Sequence, residues 1–137
     1  MSDFSDKIEL VLPFKAEYVS IARLTASGIA NRVGFDIETI EDIKVAVAEV
    51  CNKLVQAGSE SEGNYAIVFT MRANKVIISF NSTDEAVKLV FNNEEDELGI
   101  SIINAFMDDV ELYPGSGCIL TMSKAIEEGT FADGKRN

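Results

Sequence analysis

The sequence predicts an α+β fold: a two-layer α/β sandwich with helices on one face of a mixed, mostly antiparallel sheet. Residues 8–14 alternate in hydrophobicity, as a strand with one buried face does, and two later short segments are mostly apolar, as strands covered by helices are. Longer segments carry apolar residues at three- and four-residue steps, as amphipathic helices do. The predicted order is strand, two helices, two strands, helix, two strands, without internal repeat. This order favours two layers around one core.

The first part of the chain is predicted to contain one strand and two helices. Residues 8–14 alternate in hydrophobicity and form the strand, and residues 17–33 form the first helix, which Gly34 ends. The second helix begins at Asp36, a residue type that caps helix N-termini, and continues to Gly58. Along the chain, a pair of helices therefore follows the first strand and precedes the remaining strands.

The second helix has one apolar side and one polar side. Glu49 and Lys53 lie opposite the apolar side when residues are placed at 100° intervals. The polar side is therefore free for a role other than core packing. The apolar side consists of Ile40, Ile43, Val47, Val50 and Leu54.

The rest of the chain is predicted to form two strands joined by a tight turn, a polar connector that includes a short strand, a third helix and a final hairpin. These elements cover residues 65–72, 75–81, 82–96, 97–107, 110–113 and 117–122, in that order. The apolar face of the third helix is predicted to comprise Leu98, Ile102, Ala105 and Phe106. We expect one domain over residues 1–126 and a flexible C-terminal tail over residues 127–137.

Composition excludes several functional classes. The net charge of −11 argues against direct nucleic-acid binding, which requires clustered cations. No apolar run reaches the ~20 residues of a membrane span, and no secretory signal is recognisable, so a cytoplasmic protein is expected. Histidine is absent, which removes Ser-His-Asp catalysis and imidazole metal sites. The cysteines, Cys51 and Cys118, are predicted to be buried reduced thiols.

Several segments resemble bacterial anti-sigma factors. IELVLP at residues 8–13, YVSIARLTASGIANR at 18–32 and IEDIKVAVAE at 40–49 are similar to the first half of these proteins. ELGI at 97–100 and FMDDVE at 106–111 resemble their second glycine box and the strand after it. Anti-sigma factors of this kind are serine-protein kinases of partner-switching modules, built on the Bergerat fold of the GHKL (histidine-kinase-like) ATPases. The resemblance implies that fold for this chain.

The resemblance also implies an ATP-site helix with the pattern Glu-x-x-x-Asn. Glu49 matches the glutamate, the family's general base for phosphoryl transfer. Lys53 stands where the family has the asparagine that holds Mg²⁺, and a protonated lysine offers no acceptor to a metal. Asn52 is one position early and needs a rotation of ~100° to replace it as the metal ligand. Lys53 itself either pairs with Glu49 at i,i+4 or contacts a phosphate.

Other departures fall on positions that the family uses for adenine. Asn81 occupies the position of the first glycine-box aspartate, which accepts a hydrogen bond from the adenine amino group. Thr83 replaces a glycine that lets the backbone approach the nucleotide. Ile119 replaces the threonine of a Gly-x-Thr motif. Nucleotide contacts by Asn81 and Thr83 are accordingly expected to be weak.

The segment between the two glycine boxes corresponds to the family's ATP lid. We call residues 83–97 the lid segment; it is shorter than in active kinases. Gly99 of the second box persists, but Asp96 and Glu97 occupy the positions of further glycines. Carboxylates at these positions repel phosphates unless a metal intervenes.

The sequence therefore predicts an anti-sigma regulatory factor-like protein that controls transcription by binding partners, with weak or lost ATP binding and kinase activity. The resemblance implies a sigma factor and an anti-anti-sigma antagonist as partners, contacted through Arg23, and a homodimer. The alternative is an active serine kinase that uses ATP and Mg²⁺, with Glu49 as base and Asn52 as metal ligand. A third possibility is a relative in fold alone, with a divalent-cation site in the acidic run 94–97.

Overall fold

A computed structural model describes residues 5–91 and 94–127 of the chain, with only the backbone of Glu95. The strands are β1 (Asp6–Pro13), β2 (Asn64–Arg72), β3 (Lys75–Asn81), β4 (Asp109–Leu112) and β5 (Cys118–Ala125). The α-helices are α1 (Val19–Val33), α2 (Ile37–Ala57) and α3 (Glu97–Phe106). Short 3₁₀ helices occupy Ala16–Tyr18, Glu85–Val87 and Glu94–Asp96. In this part of the chain every helix is too short or too polar to cross a membrane.

The five strands form one sheet in the order β1-β2-β3-β5-β4. All four pairings are antiparallel. Helices α1 and α2 pack against each other, and α3 packs against α2. The predicted α+β fold class and the predicted order of elements are confirmed. The predicted tail lies outside the described residues, apart from its first residue.

The core lies between the sheet and the first two helices. Alternate residues of β2 and β3 are buried, as a sheet with one covered face requires. The predicted apolar side of α2 is buried along its whole length, at ~1.5–3 kcal/mol per fully buried side chain. The largest fully buried side chains include Tyr65, Phe69, Phe80, Ile43 and Leu54.

The residues at the C-terminus of α1 and at the N-terminus of α2 confirm the predicted helix boundaries. Gly34 adopts a left-handed conformation with φ of 112°, which a glycine tolerates without a Cβ clash. The Asp36 side chain accepts a hydrogen bond of 2.8 Å from the Thr39 backbone N–H. This bond lowers the pKa of the Asp36 carboxyl below its ordinary value. The turn between the two helices is therefore specified by the residues at its own ends.

Two predictions for the second half were wrong. The described residues of the 82–96 connector contain no strand, and two 3₁₀ helices stand there instead. The predicted apolar face of α3 was also misplaced, because Gly99 and Ile103 are buried whereas Leu98 is 73% exposed. The helix turns its glycine toward α2, and this close approach leaves Leu98 on the outside.

Gly58 leaves room for an aromatic stack that closes the end of α2. The Phe14 and Tyr65 rings stack with their centroids 5.3 Å apart. A Cβ on Gly58 would lie 2.6 Å from Phe14 Cγ. A methyl group there must displace a buried ring, since no real Cβ contact is so short.

We expect Gly58→Ala to lower the free energy of unfolding by about 1–3 kcal/mol, because it overpacks the site beside Phe14. Gly28→Ala is the matched control: a Cβ there meets nothing within 4 Å, and alanine favours the helix, so stability should rise by about 0.5–1 kcal/mol. Urea unfolding of both variants measures these changes. Equal effects of the two substitutions would contradict the packing argument.

Candidate functional site

An open cleft of about 590 Å³ runs along the polar side of α2. Its volume lies in the range of small-molecule pockets. It is bounded by α2, by the lid segment and by the turn between β4 and β5. The lining residues are Lys53, Gln56, Ala57, Glu85, Ala86, Lys88, Leu89, Val90, Asp96 and Gly115.

A salt bridge joins α2 to the end of the lid segment beside this cleft. Lys53 Nζ lies 3.1 Å from Asp96 Oδ1. Asp96 is only 6% exposed, and its Oδ2 atom is buried without a hydrogen-bond partner. A buried carboxylate is costly unless it is paired. The lysine therefore provides the charge compensation that allows Asp96 to be buried.

The predicted ion pair between Glu49 and Lys53 is not formed, since the ammonium group of Lys53 pairs with Asp96 instead. The local i,i+4 rule fails here because a buried carboxylate competes with a partly exposed one for the same cation. Glu49 nevertheless stays close to the second glycine box. A Cβ added to Gly99 would lie 2.9 Å from Glu49 Oε2 and 3.3 Å from Lys53 Cε. Gly99 thus allows α3 to lie directly against both side chains.

Hydrogen bonds hold the beginning of the lid segment. The Asp84 carboxylate caps the 3₁₀ helix Glu85–Val87 by accepting a bond of 2.9 Å from the Ala86 N–H. It also accepts a bond from the Ser61 hydroxyl in the loop after α2. These two donors lower the pKa of the Asp84 carboxyl. The Ser82 hydroxyl donates to the Asn64 carbonyl at 2.8 Å, which fixes the preceding residue as well.

The middle of the lid segment packs onto the core. Val87 is fully buried, and Val90 and Phe91 contact the core from its edge. The Gly115 N–H donates to the Lys88 carbonyl at 3.0 Å and ties the lid segment to the β4–β5 turn. The lid segment is therefore attached to the turn as well as to α2.

A second, much smaller cavity lies beside Ile119. Ile119, at the position of the family's threonine, is buried. The cavity beside it measures about 10 Å³, room for about one water molecule. Its walls are formed by Lys88, Leu89, Val90, Phe91, Leu112, Pro114 and Ile119. This small cavity by itself is too small for an adenine ring.

The other residues predicted for the nucleotide site do not line the cleft. Asn52 is exposed on α2, and Thr83 is exposed at the start of the lid segment. Asn81 is half-buried at the end of β3, where a bulge pairs it with Cys118. Arg23 is exposed on α1, away from the cleft-lining residues. The structure thus brings together Glu49, Lys53 and Gly99, and the roles of the remainder stay predictions.

One position differs in chemistry from the Mg²⁺ site that the resemblance implies. A lysine occupies the metal-ligand position, and its charge is matched by Asp96 of the chain itself. Among residues 5–91 and 94–127, no three carboxylate or thiol side chains are grouped to hold a metal ion. Within the acidic run, Asp96 faces Lys53, whereas the side chains of Glu94 and Glu97 are exposed.

Sequence reasoning missed the role of Asp96. It treated the carboxylate as a source of repulsion and assigned Lys53 to a neighbour on its own helix. A signal was nevertheless present: the two departures from the family pattern have opposite charges, and both belong to the phosphate end of the site. Facing positions with complementary substitutions indicate a direct contact.

Comparisons with known proteins identify the family. The family model described as "Histidine kinase-like ATPase domain" matches residues 12–124. Proteins named serine-protein kinase RsbW from Bacillus thuringiensis, Bacillus anthracis and Bacillus cereus are 38%, 38% and 37% identical to this chain, each over 93% of this chain and 89% of the relative. The alignments are 145 positions long although this chain has 137 residues, so the relatives carry residues without a counterpart here.

The two cysteines, Cys51 on α2 and Cys118 on β5, differ in burial and are therefore expected to differ in reactivity. Cys51 is free and buried, as predicted, whereas Cys118 on β5 is free but only half-buried, so the prediction of burial was wrong for Cys118. The pKa of the Cys51 thiol is raised to about 12, chiefly because burial disfavours the thiolate. At pH 8 a thiol with that pKa is ionised to only ~10⁻⁴, and the thiolate is the reactive form.

We expect iodoacetamide at pH 8 to alkylate Cys118 and to spare Cys51 in the folded protein. Mass spectrometry should find a single modified thiol before unfolding and both after unfolding in urea. Cys118→Ser is the control, and it should leave the folded protein unmodified. Rapid modification of Cys51 in that variant would contradict the assigned burial.

Proposed function

This chain belongs to the histidine kinase-like ATPase domain family, and we propose that it is an anti-sigma regulatory factor that binds its protein partners without nucleotide. The proposed partners are a sigma factor and an anti-anti-sigma antagonist, in the cytoplasm, and the proposed assembly is a homodimer. The similarity to proteins named serine-protein kinase RsbW over nearly the whole chain supports the regulatory role. The proposal separates that role from phosphoryl transfer.

The Lys53–Asp96 salt bridge is the observation that carries the proposal. In the family this end of the site holds a divalent cation and the phosphates. Here an ammonium group and a carboxylate of the chain, 3.1 Å apart, supply both charges. Phosphoryl transfer depends almost wholly on positioning and metal electrostatics, so a site without a metal ligand is a poor kinase. The small volume of the cavity beside Ile119, about 10 Å³, supports the same conclusion.

The partner surface is proposed to lie on α1 and the edge strand β1. Arg23 is exposed there, and Leu24 on the next position is 71% exposed. Ile8 and Leu24 line a shallow groove between the strand and the helix. An arginine next to exposed apolar side chains is typical of an interface, where arginine is enriched among the strongest contacts.

The alternative function is a serine kinase. The contact between Gly99 and Glu49 favours it, because it keeps the candidate base beside the second glycine box. This reading requires Asn52, now exposed, to reach a metal ion. The two functions differ in a single measurable property, the affinity for Mg²⁺-ATP.

We expect calorimetry to detect no binding of ATP or ADP at millimolar concentration with Mg²⁺, and the melting temperature to stay unchanged. The RsbW kinase of Bacillus anthracis is the positive control. A ligand at 100 times its Kd stabilises a protein by ~2.7 kcal/mol, so binding would be easy to detect. Mg²⁺-dependent binding, together with phosphate incorporation into an antagonist that Glu49→Ala abolishes, would establish the kinase instead.

We expect Arg23→Ala to weaken the complex with the sigma factor by ~30-fold or more, because we propose that Arg23 is a hot-spot residue, whose loss costs ~2 kcal/mol. Arg72→Ala is the matched control, since Arg72 is exposed on β2 and should leave affinity unchanged. Nucleotide-free titrations of both variants measure the difference. Failure of the unmodified protein to capture any sigma factor or antagonist would refute the proposed function.

A further inference from the structure

We propose that the uncovered face of the β-sheet packs against the same face of a second copy of this chain. We call this surface the open sheet face; its middle includes Thr70 on β2, Ile77 on β3 and Ser123 on β5. The inference rests on the proposed function, since it names the surface that joins the proposed homodimer. It uses the side of the sheet that faces away from α1, so the partner surface around Arg23 stays accessible.

In the described part of the chain, the sheet is covered on one side only. Alternate side chains of β2 and β3 are buried in the core. Successive side chains of a strand point to opposite faces, so the residues between them form the open sheet face. There Val68, Thr70, Ile77 and Ser79 remain half-buried. The solvated face of an antiparallel sheet is usually polar, and Val68 and Ile77 depart from that pattern.

The middle of the open sheet face carries no charge, although 26% of the residues of the chain are charged. Its hydroxyl groups have partners within the sheet, since the side-chain oxygens of Ser79 and Thr121 lie 3.4 Å apart. A polar group that already has a partner can be buried at low cost. The cores of protein interfaces are depleted in charged residues in the same way. The central residues are Val68, Thr70, Ile77, Ser79, Thr121 and Ser123.

The two edges of the sheet carry opposite charges. Lys7 lies on the edge strand β1, and Asp109 and Glu111 lie on the other edge strand, β4. All three side chains are exposed. None of them takes part in an ion pair among the described residues. These charges are therefore available to a second surface.

The strand register places the opposite charges on the same face. A half-turn about an axis parallel to the strands brings the β1 side of each copy over the β4 side of the other. The cation of each copy then faces the acids of the other, and Ile77 lies near the axis. Such a contact is isologous, as in most homodimers. One row of side chains crosses the sheet through successive register pairs: Lys7, Thr70, Ile77, Ser123 and Asp109.

The open sheet face is large enough for a homodimer. Its five strands, spaced about 4.8 Å apart, carry outward-facing residues at intervals of about 6.8 Å, which gives a surface of about 500 Å² per copy. Pairing therefore buries about 1,000 Å² in total, the lower limit for a specific interface. Sheets that pack face to face lie about 10 Å apart with their strands within about 30° of each other, and the short side chains of this face allow that distance.

Glu9 is the exception on the β1 side. It pairs with Val68 in the strand register, so its carboxylate is on the open sheet face and comes close to the acids on β4 of the other copy. This repulsion is at a solvated rim, where its cost is modest. It provides a test that loss of folding cannot imitate, because removal of the like charge should strengthen the dimer.

Sedimentation equilibrium of the protein alone measures the dimer. We expect Lys7→Glu and Asp109→Lys each to raise the Kd of the dimer about tenfold, because each substitution acts at two symmetry-related contacts. The double variant should restore the Kd of the unsubstituted protein, since it exchanges the two charges. Glu9→Lys should lower the Kd about tenfold. All three side chains are exposed, so the fold, followed by circular dichroism, should stay intact.

Ile77→Asp tests the middle of the open sheet face, and it should leave only monomer at concentrations where the unsubstituted protein is a dimer. Leu24→Asp is the matched control: Leu24 is 71% exposed on α1, and the same change there should leave the dimer intact. A monomeric unsubstituted protein, dissociation by Leu24→Asp but not by Ile77→Asp, or a double charge variant that binds no tighter than the single variants would each overturn the proposed face.

These measurements use no sigma factor, antagonist or nucleotide, so the proposed face and the proposed function fail separately. A dimer that resists both Lys7→Glu and Ile77→Asp but captures a sigma factor without nucleotide keeps the function and loses the face. A protein that dimerises through the open sheet face but captures no partner keeps the face and loses the function.

Discussion

Burial of one side of α2 against the sheet is the constraint on which the rest of the structure depends. Seven residues of this helix are buried, and they fix both its position and its rotation about its own axis. Because the rotation of the helix is fixed, the direction of every side chain on its polar side is fixed as well. Glu49 and Lys53 face α3 and the cleft for this reason, and Asn52 does not. The identity of one residue on that side therefore changes the chemistry of the whole cleft.

The cleft is ordered by contacts that the chain makes with itself. Side chains of the lid segment fill the space beside Ile119, and the carboxylate at its end neutralises the cation on α2. In the described residues, short-range packing and a single ion pair hold the lid segment against α2 and the core. A short connection suits this arrangement, because fewer residues have to be ordered.

Most of the fold could be predicted from the sequence because its signals are local and strong. The stripe on α2, the cap at Asp36 and the left-handed Gly34 each act within a few residues of their position. The apolar face of α3 could not be predicted, since it depends on the close approach that Gly99 permits to a helix distant in sequence. The partner of Lys53 was missed for the same reason: Asp96 lies 43 positions away in sequence, and only the assembled fold reveals that it is buried.

The salt bridge also has an evolutionary consequence, because its two residues depend on each other. A change of Lys53 alone to asparagine restores a metal ligand but leaves a carboxylate buried without a counter-charge. A change of Asp96 alone to glycine restores the residue type that the resemblance implies, but it leaves the partly buried ammonium group of Lys53 without its carboxylate partner. Either single change leaves one buried charge without its partner and is expected to destabilise the protein. The two residues are therefore expected to change together in related sequences, and not one at a time.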